Sequence, residues 1–227
     1  MTASQRLDRL IIFDLDNTLV ERDRFFAEWA EAFVRERHFE RATTLAILRE
    51  SDEDGSAPRT LFFERLRALL MLQEPTDRLV DDYWRDQIAR YRCDEDTITG
   101  LRRLRQAGYK LGIATNGGPR QLAKIRACGL EEVVDAVCVS QTVGAAKPDP
   151  RIFLAVAEGC RVSLEDAWVV GDRPETDIAG AVAIGARSVW ISRGKVWVEA
   201  EFTPTFTADT VAEATSLLIA ADAASVK

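Results

Sequence analysis

Histidine is almost absent: His38 is the only one in 227 residues. This excludes Ser-His-Asp and Cys-His nucleophilic systems and any multi-histidine metal site. An acid or base in this chain must therefore be a carboxylate, lysine, tyrosine or cysteine. Cysteine is scarce too, and Cys93, Cys128, Cys138 and Cys160 form neither a C-x-x-C pair nor a zinc-module spacing. Cys138, inside the apolar run VVDAVCV, reads as a small buried hydrophobe. Reduced thiols in a cytoplasmic protein are the expectation. Long apolar runs are missing: stretches such as Leu10–Phe13 and Leu69–Leu72 are far short of the roughly 20 residues that span a bilayer. The N-terminus lacks a cationic segment followed by an apolar one, so no leader and no membrane association are expected. There is no basic cluster either, and the net charge is −7, which argues against nucleic acid or an anionic membrane as partner. Lysine is wholly missing from residues 20–96, which carry 13 Arg against 19 Asp and Glu. That excess negative charge reads as a solvated helix surface.

What is present is an ordinary core-forming mixture, 47% hydrophobic and 30% charged. Five short apolar runs read as buried strands of a parallel sheet: Leu10–Phe13, Lys110–Thr115, Asp135–Ser140, Ala167–Val170 and Ser188–Ile191. Helix-like stretches alternate with them, at Thr97–Gln106, Pro119–Ala127, Arg151–Glu158 and Asp177–Ala183. Gly108, Gly129 and Gly185 supply stops. This is an α/β pattern with helices on both faces of the sheet. Residues 20–96 break the rhythm. Phe25, Trp29 and Phe33 recur every four residues, and Leu61, Phe62, Leu66 and Leu69, then Leu79, Val80, Tyr83, Trp84 and Ile88, do likewise. These are amphipathic helices interrupted by the polar loop Ser51–Pro58, so a helical subdomain is expected after the first strand. A terminal helix is expected over Ala208–Ala220, fraying from Ala221 to Lys227.

Four clusters carry chemistry. Asp14-Leu15-Asp16-Asn17-Thr18 follows the first strand and crowds two carboxylates together. Like charges so close call for a cation. The pair suits a metal-assisted site with one carboxylate as nucleophile and the other as acid/base, and equally an Asx-type turn capped by Thr18. Thr115-Asn116-Gly117-Gly118, at the end of the second core strand, offers a hydroxyl, an amide and free N–H groups. It can cradle a phosphate or simply cap a helix. Lys147, between Ala146 and Pro148, is a point charge suited to phosphate, or a surface lysine in a turn. In Gly171-Asp172-Arg173-Pro174-Glu175-Thr176-Asp177 the carboxylates suit a hard Mg²⁺ ion, or cap a helix. All four follow core strands, where open α/β sheets bind ligands.

In that order, DLDNT (14–18), ATN (114–116), Lys147 in AKPDP and GDRPETD (171–177) resemble the motifs of the haloacid dehalogenase-like (HAD-like) hydrolase superfamily. The resemblance covers nearly the whole chain. It implies a Rossmann-like, five-stranded parallel core over 1–19 and 97–227, with a helical cap over 20–96 that closes over the site, hinged at Leu19–Arg22 and Arg92–Thr97. It further implies an Mg²⁺-dependent phosphatase that hydrolyses a small-molecule phosphate monoester, such as a nucleotide or sugar phosphate. By the same resemblance Asp14 is the nucleophile that becomes aspartyl-phosphate, and Asp16 protonates the leaving alkoxide and then activates water. Thr115 and Asn116 bind the phosphoryl group, and Lys147 offsets its charge. Mg²⁺ is held by Asp14, the main-chain oxygen of Asp16 and Asp172, with Asp177 as a further acidic position.

Other chemistries of the superfamily fit less well. A haloalkanoate dehalogenase has no use for an acid at Asp16, because halide leaves unaided. A phosphonate hydrolase needs a cap lysine, and residues 20–96 contain none. A sugar phosphomutase stays open, as does a non-catalytic interaction module on this scaffold. Arg22, Arg24, Arg120 and Arg173 are candidate contacts for the leaving group, whereas Trp29 and Trp84 fit the apolar stripes of the inserted helices.

Overall fold

A computed structural model of the chain describes residues 9–225. The stretch read as leaderless lies, up to Asp8, outside the described residues, as do Val226 and Lys227. The chain enters through β1 (Arg9–Phe13) and continues into four helices: α1 (Arg22–Glu36), α2 (Arg41–Asp52), α3 (Arg59–Leu70) and α4 (Thr76–Arg90). Alternation then sets in with α5 (Glu95–Gln106), β2 (Tyr109–Thr115), α6 (Arg120–Ala127), β3 (Ala136–Val139), the single turn α7 (Ser140–Val143) and α8 (Pro150–Cys160). It ends with β4 (Trp168–Gly171), α9 (Ala179–Ala183), β5 (Arg187–Ile191), β6 (Phe206–Ala208) and α10 (Val211–Ser225).

The strands form one parallel sheet in the order β3-β2-β1-β4-β5-β6. Among the described residues it has six strands, one more than the sequence pattern suggests. The extra strand, Phe-Thr-Ala, is three residues long and buries only Ala208, so it makes no apolar run. Asp135 and Ser140, read as ends of the third strand, fall outside it: the Asp135 carboxylate accepts from the Leu111 N–H at 2.9 Å, and Ser140 opens α7. The terminal helix starts later than expected and continues through residues 221–225.

β1 lies between β2 and β4, which explains its uninterrupted Leu-Ile-Ile-Phe run: both faces of a central parallel strand are covered. Leu10 and Ile12 pack with Ile152, Phe153 and Val156 of α8. Gly112 of β2 lets α8 come close, because a Cβ there would lie 2.1 Å from Val156 Cγ1. The strand order reverses direction between β1 and β4, and Phe13 is in register with both Ile113 and Val170. The carboxyl ends of β1, β2 and β4 therefore open on the same edge of the sheet, the place where such sheets bind ligands.

By internal contacts the chain divides into two compact units, one of residues up to Val20 with those from Arg92 on, the other Glu21–Tyr91. Val20 and Arg92–Asp96, read from the sequence with the insertion, group with the first unit. The second unit has its own core, centred on Phe26, Trp29, Phe33, Phe62, Phe63 and Tyr83. Trp29 meets Tyr83 edge-on at 4.8 Å between ring centroids, and Trp84 packs against the same cluster, so both tryptophans belong to this core. Within this unit Arg22 and Arg59 converge on the buried Asp52; Ser51 and Asp52, read from the sequence as the start of the polar loop, end α2 instead.

Candidate active site

The chain turns sharply after β1. Asn17 takes a left-handed conformation, φ 61°, which asparagine tolerates better than most residues. The turn is closed by Asn17 N–H to Val20 O at 2.7 Å and Val20 N–H to Leu15 O at 2.9 Å. Thr18 does not cap it: its hydroxyl is buried and has no hydrogen-bond partner among the described residues. Asp14 leaves the strand with its N–H on Val170 O at 2.8 Å, so β4 anchors it from the side.

Asp172 follows Gly171 at the end of β4, and its carbonyl accepts from Trp190 Nε1 at 2.8 Å. Five residues on, Asp177 lies in a single π-helical turn, Pro174–Ile178, that feeds α9. Such turns commonly mark functional sites. The turn folds the Asp177 side chain back over β4, and only glycine fits beneath it: a Cβ on Gly171 would lie 2.3 Å from Asp177 Cγ and Oδ2.

Asp14, Asp172 and Asp177 thus come together, each buried and each offering an oxygen within 4.8 Å of the others. Lys147, 5% exposed, extends its ammonium among them, to Asp14 Oδ1 and, at 2.7 Å, to Asp177 Oδ1. Arg173 N–H takes Asp177 Oδ2 at 3.0 Å. Lys147 is set in place by Asn116, whose Oδ1 accepts the Lys147 N–H at 2.8 Å and whose Nδ2 donates to Lys147 O at 3.1 Å. The amide of Asn116 therefore clamps the lysine backbone in this structure.

One ammonium does not balance three buried carboxylates. Burial, opposed by Lys147 and reinforced by Asp177, lifts the Asp14 carboxyl from 3.8 to about 6. Burial, with Asp14 and Asp177 adding, lifts Asp172 from 3.8 to about 8. Burial works against the Lys147 ammonium, but Asp14 and Asp177 outweigh it and hold its pKa above the ordinary lysine range. The site has surplus negative charge in a dry place, the condition under which a divalent cation binds to oxygen donors.

Asp16 is placed differently. Its carboxylate is outside the trio and is gripped by α6: Lys124 Nζ meets Oδ1, and Gln121 Nε2 donates to Oδ2 at 2.8 Å. Gln121 Nε2 also lies 2.8 Å from Thr115 Oγ1 and 3.4 Å from Asn116 O. Of the seven positions singled out from the sequence, Asp14, Asp172, Asp177 and Lys147 form one buried cluster, Asn116 braces it, and Asp16 and Thr115 meet through Gln121. Gln121 and Lys124 were not anticipated. Their signal is faint: with Ile125 they share one helical face at i, i+3 and i+4, and that face is buried although two of its three residues are polar. Of the candidate arginines in this unit, Arg173 pairs with Glu175 at 3.4 Å.

A family model for haloacid dehalogenase-like hydrolases matches residues 9–185. Among curated relatives, the glyceraldehyde 3-phosphate phosphatase of Pyrococcus abyssi is 34% identical over 198 residues, 82% of this chain and 82% of that protein. The phosphoserine phosphatase of Thermus thermophilus is 32% identical over 177 residues, 76% of this chain and 71% of that one. Among solved structures, a HAD phosphatase from Thermococcus onnurineus superposes with a TM-score of 0.63 at 26% identity, covering 92% of this chain and 97% of its own.

Proposed function

The chain belongs to the haloacid dehalogenase-like hydrolases, and on that premise we propose that it is an Mg²⁺-dependent phosphatase of small phosphate monoesters. The observation that carries this reading is the Asp14 carboxylate at the open edge of the sheet, beside the Lys147 ammonium and within 4.8 Å of Asp172 and Asp177. A nucleophile, a cation for the phosphoryl charge and surplus oxygen donors are together there.

The donor set fits Mg²⁺: all oxygens, closely spaced, with more negative charge than Lys147 can offset. Asp14 and Asp172 would hold the ion. Both oxygens of Asp177 are engaged, by Lys147 and by Arg173 N–H, so Asp177 serves first to steady the lysine. Bound there, Mg²⁺ would supply positive charge against the phosphoryl oxygens.

The protein's own groups account for the steps. The phosphoryl group binds against Thr115, Asn116 and the Lys147 ammonium. An Asp14 carboxylate oxygen attacks phosphorus as the ester P–O bond breaks, and Asp16 gives its proton to the departing alkoxide. Asp16, now a carboxylate, takes a proton from water. That water's oxygen bonds to phosphorus, the bond to Asp14 breaks, and inorganic phosphate leaves with Asp14 restored. Phosphoryl transfer of this kind depends mainly on positioning and charge stabilisation. On the same reading the unit Glu21–Tyr91 is the helical cap and the unit that carries the sheet is the catalytic core.

Relatives are named for glyceraldehyde 3-phosphate, phosphoserine and ribulose 1,5-bisphosphate, all small phosphate monoesters. The test is phosphate release from a panel that begins with these and adds nucleotides and other sugar phosphates, with Mg²⁺ and with EDTA. Turnover with Mg²⁺ only, abolished by Asp14→Asn, is expected. Full Mg²⁺-dependent turnover in Asp14→Asn overturns the assigned nucleophile. No turnover on any ester, with no Mg²⁺ affinity, overturns the enzyme reading.

A further inference from the structure

We infer that Lys124 and Gln121 are positioning residues that aim Asp16 at the leaving oxygen, an inference that rests on the phosphatase reading above. Both oxygens of Asp16 are held from α6, Oδ1 by the Lys124 ammonium and Oδ2 by the Gln121 amide at 2.8 Å. The anchor is the buried partner: the Lys124 side chain is 3% exposed and that of Asp16 32%. A carboxylate that open to water has no reason of its own to hold one rotamer, whereas a buried ammonium is costly unless paired. The pairing therefore fixes Asp16. The same Gln121 nitrogen lies 2.8 Å from Thr115 Oγ1. One amide thus ties the proton-handling carboxylate to a hydroxyl of the phosphate cradle, so proton donor and phosphoryl site keep a set distance. The cradle is shaped to admit this side chain: Gly117 has φ +146°, and a Cβ there would lie 3.0 Å from Gln121 Cγ.

An aim of this kind matters only for alcohols that need a proton in order to leave. Lys124→Met keeps the length of the side chain and removes the ammonium. Its kcat/KM for the best alkyl phosphate of the panel is expected to fall about 100-fold, the scale of a lost general acid. For p-nitrophenyl phosphate, whose phenolate leaves unaided, kcat/KM is expected to stay within about threefold. With that ester kcat and KM should fall together, because hydrolysis of the aspartyl-phosphate also needs Asp16 and becomes limiting. Gln121→Leu is expected to show the same discrimination in weaker form, and it decides the matter if Lys124→Met proves misfolded by circular dichroism. Equal losses of kcat/KM on both esters, or none on either, overturn the inference and leave the phosphatase reading intact. A wild-type protein inert on both esters with Mg²⁺ overturns both.

Discussion

Asp172→Asn should make the metal-free protein more stable, and increasingly so as pH rises. In the unfolded chain Asp172 loses its proton near the ordinary 3.8, and in the folded protein it keeps it to about 8. Between those values the folded state binds the extra proton, so unfolding free energy falls as pH rises. The contribution of Asp172 is whole below the unfolded value and is lost on passing through the folded one. At roughly 1.4 kcal/mol per tenfold difference in proton affinity, the wild type forfeits about 3–4 kcal/mol between pH 5 and pH 8 through this group. Asparagine has no proton to lose. The fixed difference between an amide and a protonated carboxyl cancels when the two pH values are compared, so the widening of the gap is the quantity to measure. Urea denaturation of wild type and variant in EDTA, at pH 5 and at pH 8, provides it. Adding Mg²⁺ at pH 8 should raise the wild type and not the variant, because a ligand stabilises the state that binds it. A gap that stays constant with pH would show that Asp172 is not a buried carboxyl crowded by Asp14 and Asp177, and would falsify the electrostatic account of the cluster.

Three further outcomes follow from the same geometry. Lys147→Met leaves the Asp14, Asp172 and Asp177 carboxylates without their ammonium, and in EDTA at pH 8 should cost about 3–5 kcal/mol by urea denaturation. The loss should shrink at pH 5, where protons replace the missing cation. Gly171→Ala sets a methyl group 2.3 Å from Asp177 Cγ, and neither partner is the loose end of a flexible chain. A cost of about 1–3 kcal/mol by thermal or urea unfolding is expected, together with weaker Mg²⁺ binding by calorimetry; unchanged Mg²⁺ affinity would separate Asp177 from the site. In the helical unit, Asp52→Ala takes the buried carboxylate from Arg59 and leaves Arg22 with the exposed Asp23 alone, and should destabilise that unit by about 3–5 kcal/mol at pH 7, read by urea denaturation. Burial opposes the Asp52 carboxylate, but Arg22 and Arg59 prevail and hold its pKa below the ordinary range. The contribution of Asp52 is therefore present above the unfolded value near 3.8 and fades only as pH falls through the lower folded one.

The legible parts of the fold were those written in runs. β1, β2, β4 and β5 are central or well-covered parallel strands, and burial on both faces forces unbroken apolar stretches such as Leu10–Phe13. β6 is an edge strand of three residues with one buried side chain, and so short a pairing needs no apolar run. The helical unit was visible through its aromatic stripes. Its buried charges were not, because Asp52 ends α2 beside exposed Glu53 and Asp54 and has the composition of a loop.

The candidate site divides along the same line. Asp14, Thr115 and Asp172 stand at or just beyond strand ends, so a strand boundary read from hydrophobicity also locates the functional atoms. The parallel register then brings them to one edge without any further information. Lys147 arrives through a loop and Asp177 through a π-helical turn, and their sequence neighbourhoods were enough to mark them. Gln121 and Lys124 belong to a helix, where burial follows a period of 3.6 residues and a polar side chain on the inner face looks the same in sequence as one on the outer face. What distinguishes them is the partner they meet, Asp16, 105 and 108 residues away in the chain. A buried polar group on a helix that starts from a phosphate cradle is the pattern to look for. Its energetic logic is that such a group is tolerated only where another charge or hydrogen-bonding group waits for it, and in this chain that group is the carboxylate to which the proposed chemistry assigns the proton.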